Sequence, residues 1–263
     1  MKLALSDTIW ISEKRRNLLL LLTEGPRDID QIKAALNVNS RSMMPQVKIL
    51  KDWGLISQDG DLYSLTDTGR VIVHNMLPLL NTLNVIEEYR DYWTERDLSC
   101  IPPHLLKRLG DLGHYFIIEP DINHLFELPK EFTENIYKSN NVMSFAAYFH
   151  PSYPSIYSKL IENDANISLV FTRKVFERMQ RDYYSELEAI IKADNSAVYI
   201  CDSNMNFPTV TVTDWFLYIS FFDKLGRYDH KVVMSFDSNA LKWGEELFEH
   251  CKEKGSCVKH EVG

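Results

Sequence analysis

Residues 38–65, VNSRSMMPQVKILKDWGLISQDGDLYSL, decide how the first part of the chain is read. Met43, Val47, Ile49 and Leu50 recur at helical spacing and mark one face for burial, which leaves Arg41, Gln46, Lys48 and Lys51 to project elsewhere. Ser40 and Ser42 are both possible N-caps, and Pro45 favours Ser42, because proline is tolerated only in a first turn whose N–H groups have no intrahelical partner. Gly54 ends the helix. Leu55-Ile56 and Leu62-Tyr63-Ser64-Leu65 then flank Asp59-Gly60, a dipeptide suited to a tight hairpin turn.

Working outward, Glu13 to Thr23 (EKRRNLLLLLT) predicts a helix stopped by Gly25-Pro26, and a short helix starting at Asp28 or Ile29 puts Ile29, Ile32 and Leu36 on its core side. Before them Leu3, Leu5, Ile9 and Trp10 make residues 1–12 too apolar for a free tail. Two helices, a third with a polar face, a Trp53-Gly54-Leu55-Ile56 corner, a hairpin and the closing Tyr63-Ser64-Leu65-Thr66-Asp67-Thr68-Gly69-Arg70 resemble the winged helix-turn-helix of bacterial and archaeal transcription regulators. The resemblance implies that the third helix enters the major groove of double-stranded DNA. Arg41, Ser42, Met44 and Gln46 would then lie nearest base edges, with Ser40, Lys48 and Lys51 better placed for phosphates. An arginine can pair with guanine and a glutamine with adenine. The hairpin tip, Gln58-Asp59-Gly60-Asp61, carries two acids where many wings carry Arg or Lys.

The charge balance agrees only after division. The chain of 263 residues is 45% hydrophobic and 25% charged, with a formal charge of −8. Residues 1–75 hold ten basic residues against nine acids, so the acidity belongs to the remainder. DNA affinity then has to come from local clusters and from dimerisation. No apolar run near the start is long enough to span a bilayer and no secretory leader is read, so a cytoplasmic protein without membrane contact is expected. Cys100, Cys201, Cys251 and Cys257 form no Cys-x-x-Cys pair and have no histidines at zinc-finger spacing, so no metal site is expected.

Thr66-Asp67 caps a helical stretch reaching Tyr92, which Pro78 is expected to split or kink. The organisation is therefore a DNA-binding domain over 1–75, a helical linker serving homodimerisation over 76–100, and a mixed-sheet α/β domain over 101–263. Within the last, strands are read at Tyr115–Ile118, Val142–Phe149, Ile167–Thr172, Val198–Cys201, Thr209–Val212, Phe216–Phe222 and Lys231–Phe236. Helices are read at 128–139, 155–164, 174–192 and 239–253. No glycine-rich loop follows a strand, which argues against dinucleotide or ATP sites, and no cofactor is expected.

FHPSYPSIYSKLIENDANISLVFT (149–172) and SFDSNALKWGEELFEHCKEKG (235–255) make this second part similar to the effector domain of the archaeal methanogenesis regulatory proteins, the Fil-type group of methanogens. That resemblance implies a phospholipase D-like sheet without its catalysis, because His230-Lys231 cannot fill the spacing His-x-Lys-x-x-x-x-Asp. It also implies a domain that senses a signal, a small-molecule effector being the reading adopted. α/β sheets place ligands at strand ends, which nominates Tyr148, His150, Thr172, Arg173 and Asp202 as pocket lining. No catalytic residue is assigned. Two alternatives stay open: a phosphodiester hydrolase-like enzyme carrying a DNA-binding domain, and a cysteine-based redox regulator.

Overall fold

The computed structural model describes residues 4–120, 127–202, 205 and 207–258, which form two compact units, 1–80 and 81–263. Both are mixtures of helix and strand.

The first unit runs α1 (Leu5–Trp10), α2 (Glu13–Leu21), α3 (Ile29–Leu36), α4 (Ser40–Asp52), and the antiparallel pair β1 (Ile56–Asp59) and β2 (Leu62–Leu65). Its core gathers Leu18, Leu19 and Leu22 from the end of the first long run, Ile32 from α3, and Met43, Val47 and Leu50 from α4. Ile9 joins them, whereas Leu3 lies outside the described residues. α3 opens on a capping box in which Asp28 accepts from the Gln31 amide and Gln31 reaches back to the Asp28 amide. It closes on Asn37, held left-handed at φ 49°. The next helix starts three residues earlier than a Ser42 cap would set it. Its cap is Asn39, whose Oδ1 accepts from the Ser42 amide at 2.9 Å, so Ser42 is not the cap. Pro45 is therefore the sixth helical residue, one turn further in than expected.

The corner after the hairpin explains the Leu-Thr-x-x-Gly run. Thr66 Oγ1 donates to the Gly54 carbonyl at 2.6 Å and accepts from the Gly69 amide at 3.1 Å, tying the end of α4 to the start of α5 (Asp67–Glu88). A Cβ on Gly69 would stand 2.0 Å from the Leu55 carbonyl oxygen, a backbone atom that cannot rotate away. α5 runs unbroken through Pro78, and the chain breaks at Tyr89, before α6 (Arg90–Glu95). Pro78 thus does not split the helix.

The second unit continues with α7 (Pro103–Leu106), β3 (Tyr115–Ile118), α8 (Lys130–Ile136), β4 (Asn141–Ala146), α9 (Tyr153–Glu162), β5 (Asn166–Thr172), α10 (Arg173–Asp182), α11 (Tyr184–Lys192) and β6 (Ser196–Cys201). It ends with β7 (Thr209–Thr213), β8 (Leu217–Ser220), β9 (Val232–Ser235), α12 (Ser238–Glu253) and β10 (Gly255–Cys257). What the periodicity joins into one helix over 174–192 is two helices that meet at Tyr183, and β10 is a strand the sequence did not announce. Among the described residues the sheet has eight strands in the order β10-β6-β5-β4-β7-β8-β9-β3. β4, β5 and β6 are parallel, and the remaining pairings are antiparallel.

β7, β8 and β9 are buried at every position, so both sheet faces are covered. On one face α12 lays Ala240, Trp243, Leu247 and Phe248 against Val210, Val212, Leu217 and Val233. A Cβ on Gly244 would meet Leu217 Cδ1 at 2.6 Å, and Trp243 Nε1 donates to the Leu105 carbonyl at 2.9 Å, so the Trp-Gly pair is a close-packing device. On the other face α8, α9, α10 and α11 cover Val142, Leu169, Phe171, Tyr218 and Met234.

Gly69→Ala should destabilise the first unit by about 3 kcal/mol, the upper end of ordinary overpacking. Chemical denaturation of the full chain should show an earlier first transition while the transition of the second unit stays in place.

Candidate DNA-facing helix and effector cleft

α4 sets its functional side chains by which face the core takes. With Met43, Val47 and Leu50 fully covered, Arg41, Met44, Pro45, Lys48 and Asp52 are left exposed. Arg41 and Lys48 make no side-chain hydrogen bond or ion pair among the described residues. Ser40 is the first helical residue, and the Ser42 hydroxyl donates to the Asn39 carbonyl at 3.1 Å, so both sit in the helix entry. Lys51 donates to Gln58 Oε1 at 2.8 Å, which braces the helix end against β1. Gln46 is half-buried and accepts at Oε1 from Arg15 Nη1 at 3.2 Å. A guanidinium has only donors, so the Gln46 carbonyl oxygen turns toward α2, and Gln46 is less free for a two-bond adenine contact than the sequence suggests. The partnership with Arg15, itself buried, could not be read from a spacing of 31 residues. Asp59 and Asp61 at the hairpin tip are exposed.

In the second unit a cleft of about 390 Å³ opens where β3, β4 and β8 end. These strands run the same way, since β8 is antiparallel to β7, as β4 is, and β3 is antiparallel to β9, as β8 is. Tyr148 and His150 line it, as the strand-end reading expects. Thr172, Arg173 and Asp202 do not: they lie at the ends of β5 and β6, and Arg173 holds Asp202 in a two-bond ion pair at 2.5 and 2.8 Å. That pair is exposed and holds the Asp202 carboxyl below the usual carboxylate range. The sequence reading missed Tyr153, Tyr218, Tyr228 and His230, which complete the cleft. Tyr218 reaches it from β8, and His230 from the segment between β8 and β9, both far from β4 in sequence, so no local pattern announces them.

The lining is aromatic and hydroxylated inside and charged at the rim. The Tyr228 and His230 rings lie 4.3 Å apart, and both rest on Tyr148, at 5.1 and 5.7 Å. His150 packs on Tyr153 at 5.6 Å and accepts at Nδ1 from the Ser152 amide at 3.2 Å. Burial raises the hydroxyls of Tyr153 and Tyr218 and pushes Tyr228 up to about 12, so these groups stay neutral hydrogen-bonding partners. At the rim Glu127, Lys130 and Glu131 are exposed, and Glu119 pairs with Lys231 at 2.6 Å.

Beside the cleft, Arg96 is a buried cation. Its side chain is 1% exposed and meets Asp229, 34% exposed, at 2.5 Å. The Tyr92 ring lies under the guanidinium at 4.2 Å, and Nε and Nη1 have no hydrogen-bond partner among the described residues. Burial also raises the thiols: Cys100 is pushed up to about 12, and Cys251 is raised as well. Among the described residues no group of His, Cys, Asp and Glu could hold a metal ion, and no helix is long and apolar enough to cross a membrane.

Comparison with known proteins gives this arrangement its relatives. Residues 8–84 match the N-terminal domain of methanogenesis regulatory protein FilR1, and residues 125–254 match its middle domain. The chain belongs to the FilR1 family. It is 22% identical over 248 residues to FilR1 of Methanothrix harundinacea, a match that takes in 92% of this chain and 55% of that protein, so the chain spans about half the length of its relative. Among solved structures, the archaeal chromatin protein TrmBL2 is similar over 94% of each chain, with a TM-score of 0.45 and 12% identity. Nuc of Salmonella typhimurium, a phospholipase D family member, is similar over 56% of this chain and 99% of its own, with a TM-score of 0.38 and 10% identity.

Two outcomes follow for the second unit. Asp229→Ala, which strands a buried guanidinium, should cost about 3–5 kcal/mol, whereas Arg96→Met, which leaves a carboxylate open to water, should cost far less; paired urea titrations compare them. The tyrosines whose ionisation is raised by burial contribute stability that is complete below pH about 10 and is lost as pH climbs through about 12. Circular dichroism against pH should show unfolding in that alkaline window.

Proposed function

We propose that this FilR1-family chain is a DNA-binding transcription regulator: a winged helix-turn-helix first unit, and a second unit of phospholipase D-like sheet that senses a small molecule instead of hydrolysing one. The observation that carries the first half is the surface of α4. Arg41 and Lys48 stand uncommitted on a helix whose opposite face is locked into the core by Met43, Val47 and Leu50. Such a helix has cations to offer to a duplex and little freedom to turn away. The hairpin serves as a brace through Gln58 and Lys51, and its acidic tip stands clear of phosphate. The protein works as a cytoplasmic homodimer on a two-fold operator.

The cleft supports the second half. Among the described residues its buried surface is made mainly of rings and tyrosine hydroxyls, without a buried lysine or arginine. A ligand whose buried part is uncharged and flat or hydroxylated fits this lining, and a buried phosphate or carboxylate does not. Regulation by such a ligand requires a difference in affinity between DNA-competent and incompetent states. The hydrolase reading lacks the Lys and Asp that its histidine would need at the required spacing. The thiol reading meets two thiols, Cys100 and Cys251, whose burial disfavours the reactive thiolate.

Selection of genomic fragments by the purified chain at low salt, followed by titration across salt concentrations, tests the proposal. Arg41→Ala should weaken binding to the selected fragment about 10-fold and relax base preference at one position per half-site, the loss of one good base contact. Lys48→Ala should weaken binding to all fragments alike and lower the salt slope by about one. A wild-type chain that selects no fragment over random competitor overturns the reading.

A further inference from the structure

The segment joining β8 to β9, residues 221–231, has one side in the cleft and the other on the end of α6. Toward the cleft it presents Tyr228 and His230. Toward α6 it is zipped by backbone: the Asp97 amide donates to the Phe222 carbonyl at 3.0 Å, and the Lys224 amide donates to the Glu95 carbonyl at 2.9 Å, around an antiparallel bridge between Arg96 and Asp223. Asp229, which stands between the two cleft residues in sequence, receives Arg96 Nη2. His230 holds a left-handed φ of 60°, so the turn that carries Asp229 and the two rings is sharply defined.

The contacts continue past Arg96. Its guanidinium covers Tyr92, and the neighbouring Trp93 packs on Phe221 at 5.9 Å and on Tyr115 at 6.0 Å. Trp93 Nε1 donates to the Tyr115 hydroxyl at 2.8 Å, and that hydroxyl donates to the Val85 carbonyl at 2.5 Å on α5, the helix that begins at Asp67. From Tyr148 in the cleft to Val85 on α5, the steps are named ring contacts, an ion pair and hydrogen bonds, joined at Asp229 by the chain itself, since Asp229 lies between Tyr228 and His230.

We infer that Arg96 is the positioning residue through which the state of the cleft reaches the α5–α6 segment, with loop 221–231 as the moving part. A ligand that displaces Tyr228 or His230 carries Asp229 with it, because the three are consecutive. Asp229 cannot withdraw alone, since it is the hydrogen-bonding anion of a guanidinium that water does not reach. Arg96 therefore follows Asp229 or is stranded, and either response disturbs Tyr92, Trp93 and the strap at Glu95–Asp97. The inference rests on the reading of the cleft as the effector site, and it supplies the two-state element that such a reading needs.

The test perturbs the cleft at Tyr148, which touches Tyr228 and His230 but none of the α6 residues among the ring contacts, and reads the response at Trp93. The full chain is labelled with 5-fluorotryptophan, and the Trp93 signal is assigned by its loss in Trp93→Phe. Tyr148→Ala should shift the Trp93 resonance when Arg96 is present, and should leave it where Arg96→Met alone puts it when Arg96 is replaced. An equal shift in both backgrounds, or none in either, overturns the inference. Hydrogen exchange needs no Arg96 variant: Tyr148→Ala should speed exchange of the Asp97 and Lys224 amides about 10-fold, and unchanged protection overturns the inference. On a DNA fragment selected by the wild type, Tyr148→Ala should change affinity by about fivefold, at the low end of ordinary allosteric coupling, and only while Arg96 is present. A chain that selects no DNA yet shows the Arg96-dependent fluorine shift keeps the latch and loses the regulator. One that selects DNA yet shows equal shifts in both backgrounds keeps the regulator and loses the latch.

Discussion

The second unit is organised by the requirement that its sheet be covered on both faces at once. β7, β8 and β9 expose nothing, and the apolar side chains of β4 and β5 divide between two cores, one under α12 and one under α8 to α11. With both faces filled, the ends of the strands are the places where side chains can meet a ligand without competing for a packing position. That constraint puts Tyr148, Tyr228 and His230 around one opening, while Tyr153 and Tyr218 line the cleft with rings that also belong to the core under α8 to α11.

The same economy has a cost at Arg96. A guanidinium buried to 1% exposure with two donors unpartnered among the described residues is a poor way to stabilise a fold, since an apolar side chain of equal volume would do as well or better. Its value lies in exclusivity. A charge with one anionic partner reports any movement of that partner, and the partner here is flanked by two cleft residues. The first unit contains a milder version of the arrangement, in which buried Arg15 fixes the carboxamide of Gln46 and Gln58 fixes Lys51. Side chains on α4 thus divide into those held by neighbouring elements and those, such as Arg41 and Lys48, left available.

Membership of the FilR1 family rests on residues 8–84 and 125–254, which match the N-terminal and middle domains of one regulatory protein. The chain spans about half of its relative in Methanothrix harundinacea.

The sequence by itself determined what local periodicity and turn chemistry control. The helix over Ser40–Asp52, the hairpin after Gly54, the Thr66 corner and most of the strands of the sheet follow from spacings within a few residues, where backbone preference and a single apolar face suffice. It misplaced what depends on a competing local cap, setting the cap of α4 at Ser42 where Asn39 holds it, and of the split or kink expected at Pro78 the split does not occur, since the helix runs through to Glu88. Only the tertiary structure decided which strand ends share a cleft. Tyr148 and His150 are legible because they close a strand, but Tyr218 and His230 arrive through the order β4-β7-β8-β9, and Arg96 finds Asp229 across 133 residues. Pairings at that separation are set by the simultaneous burial of two cores, a global condition that no window of sequence contains.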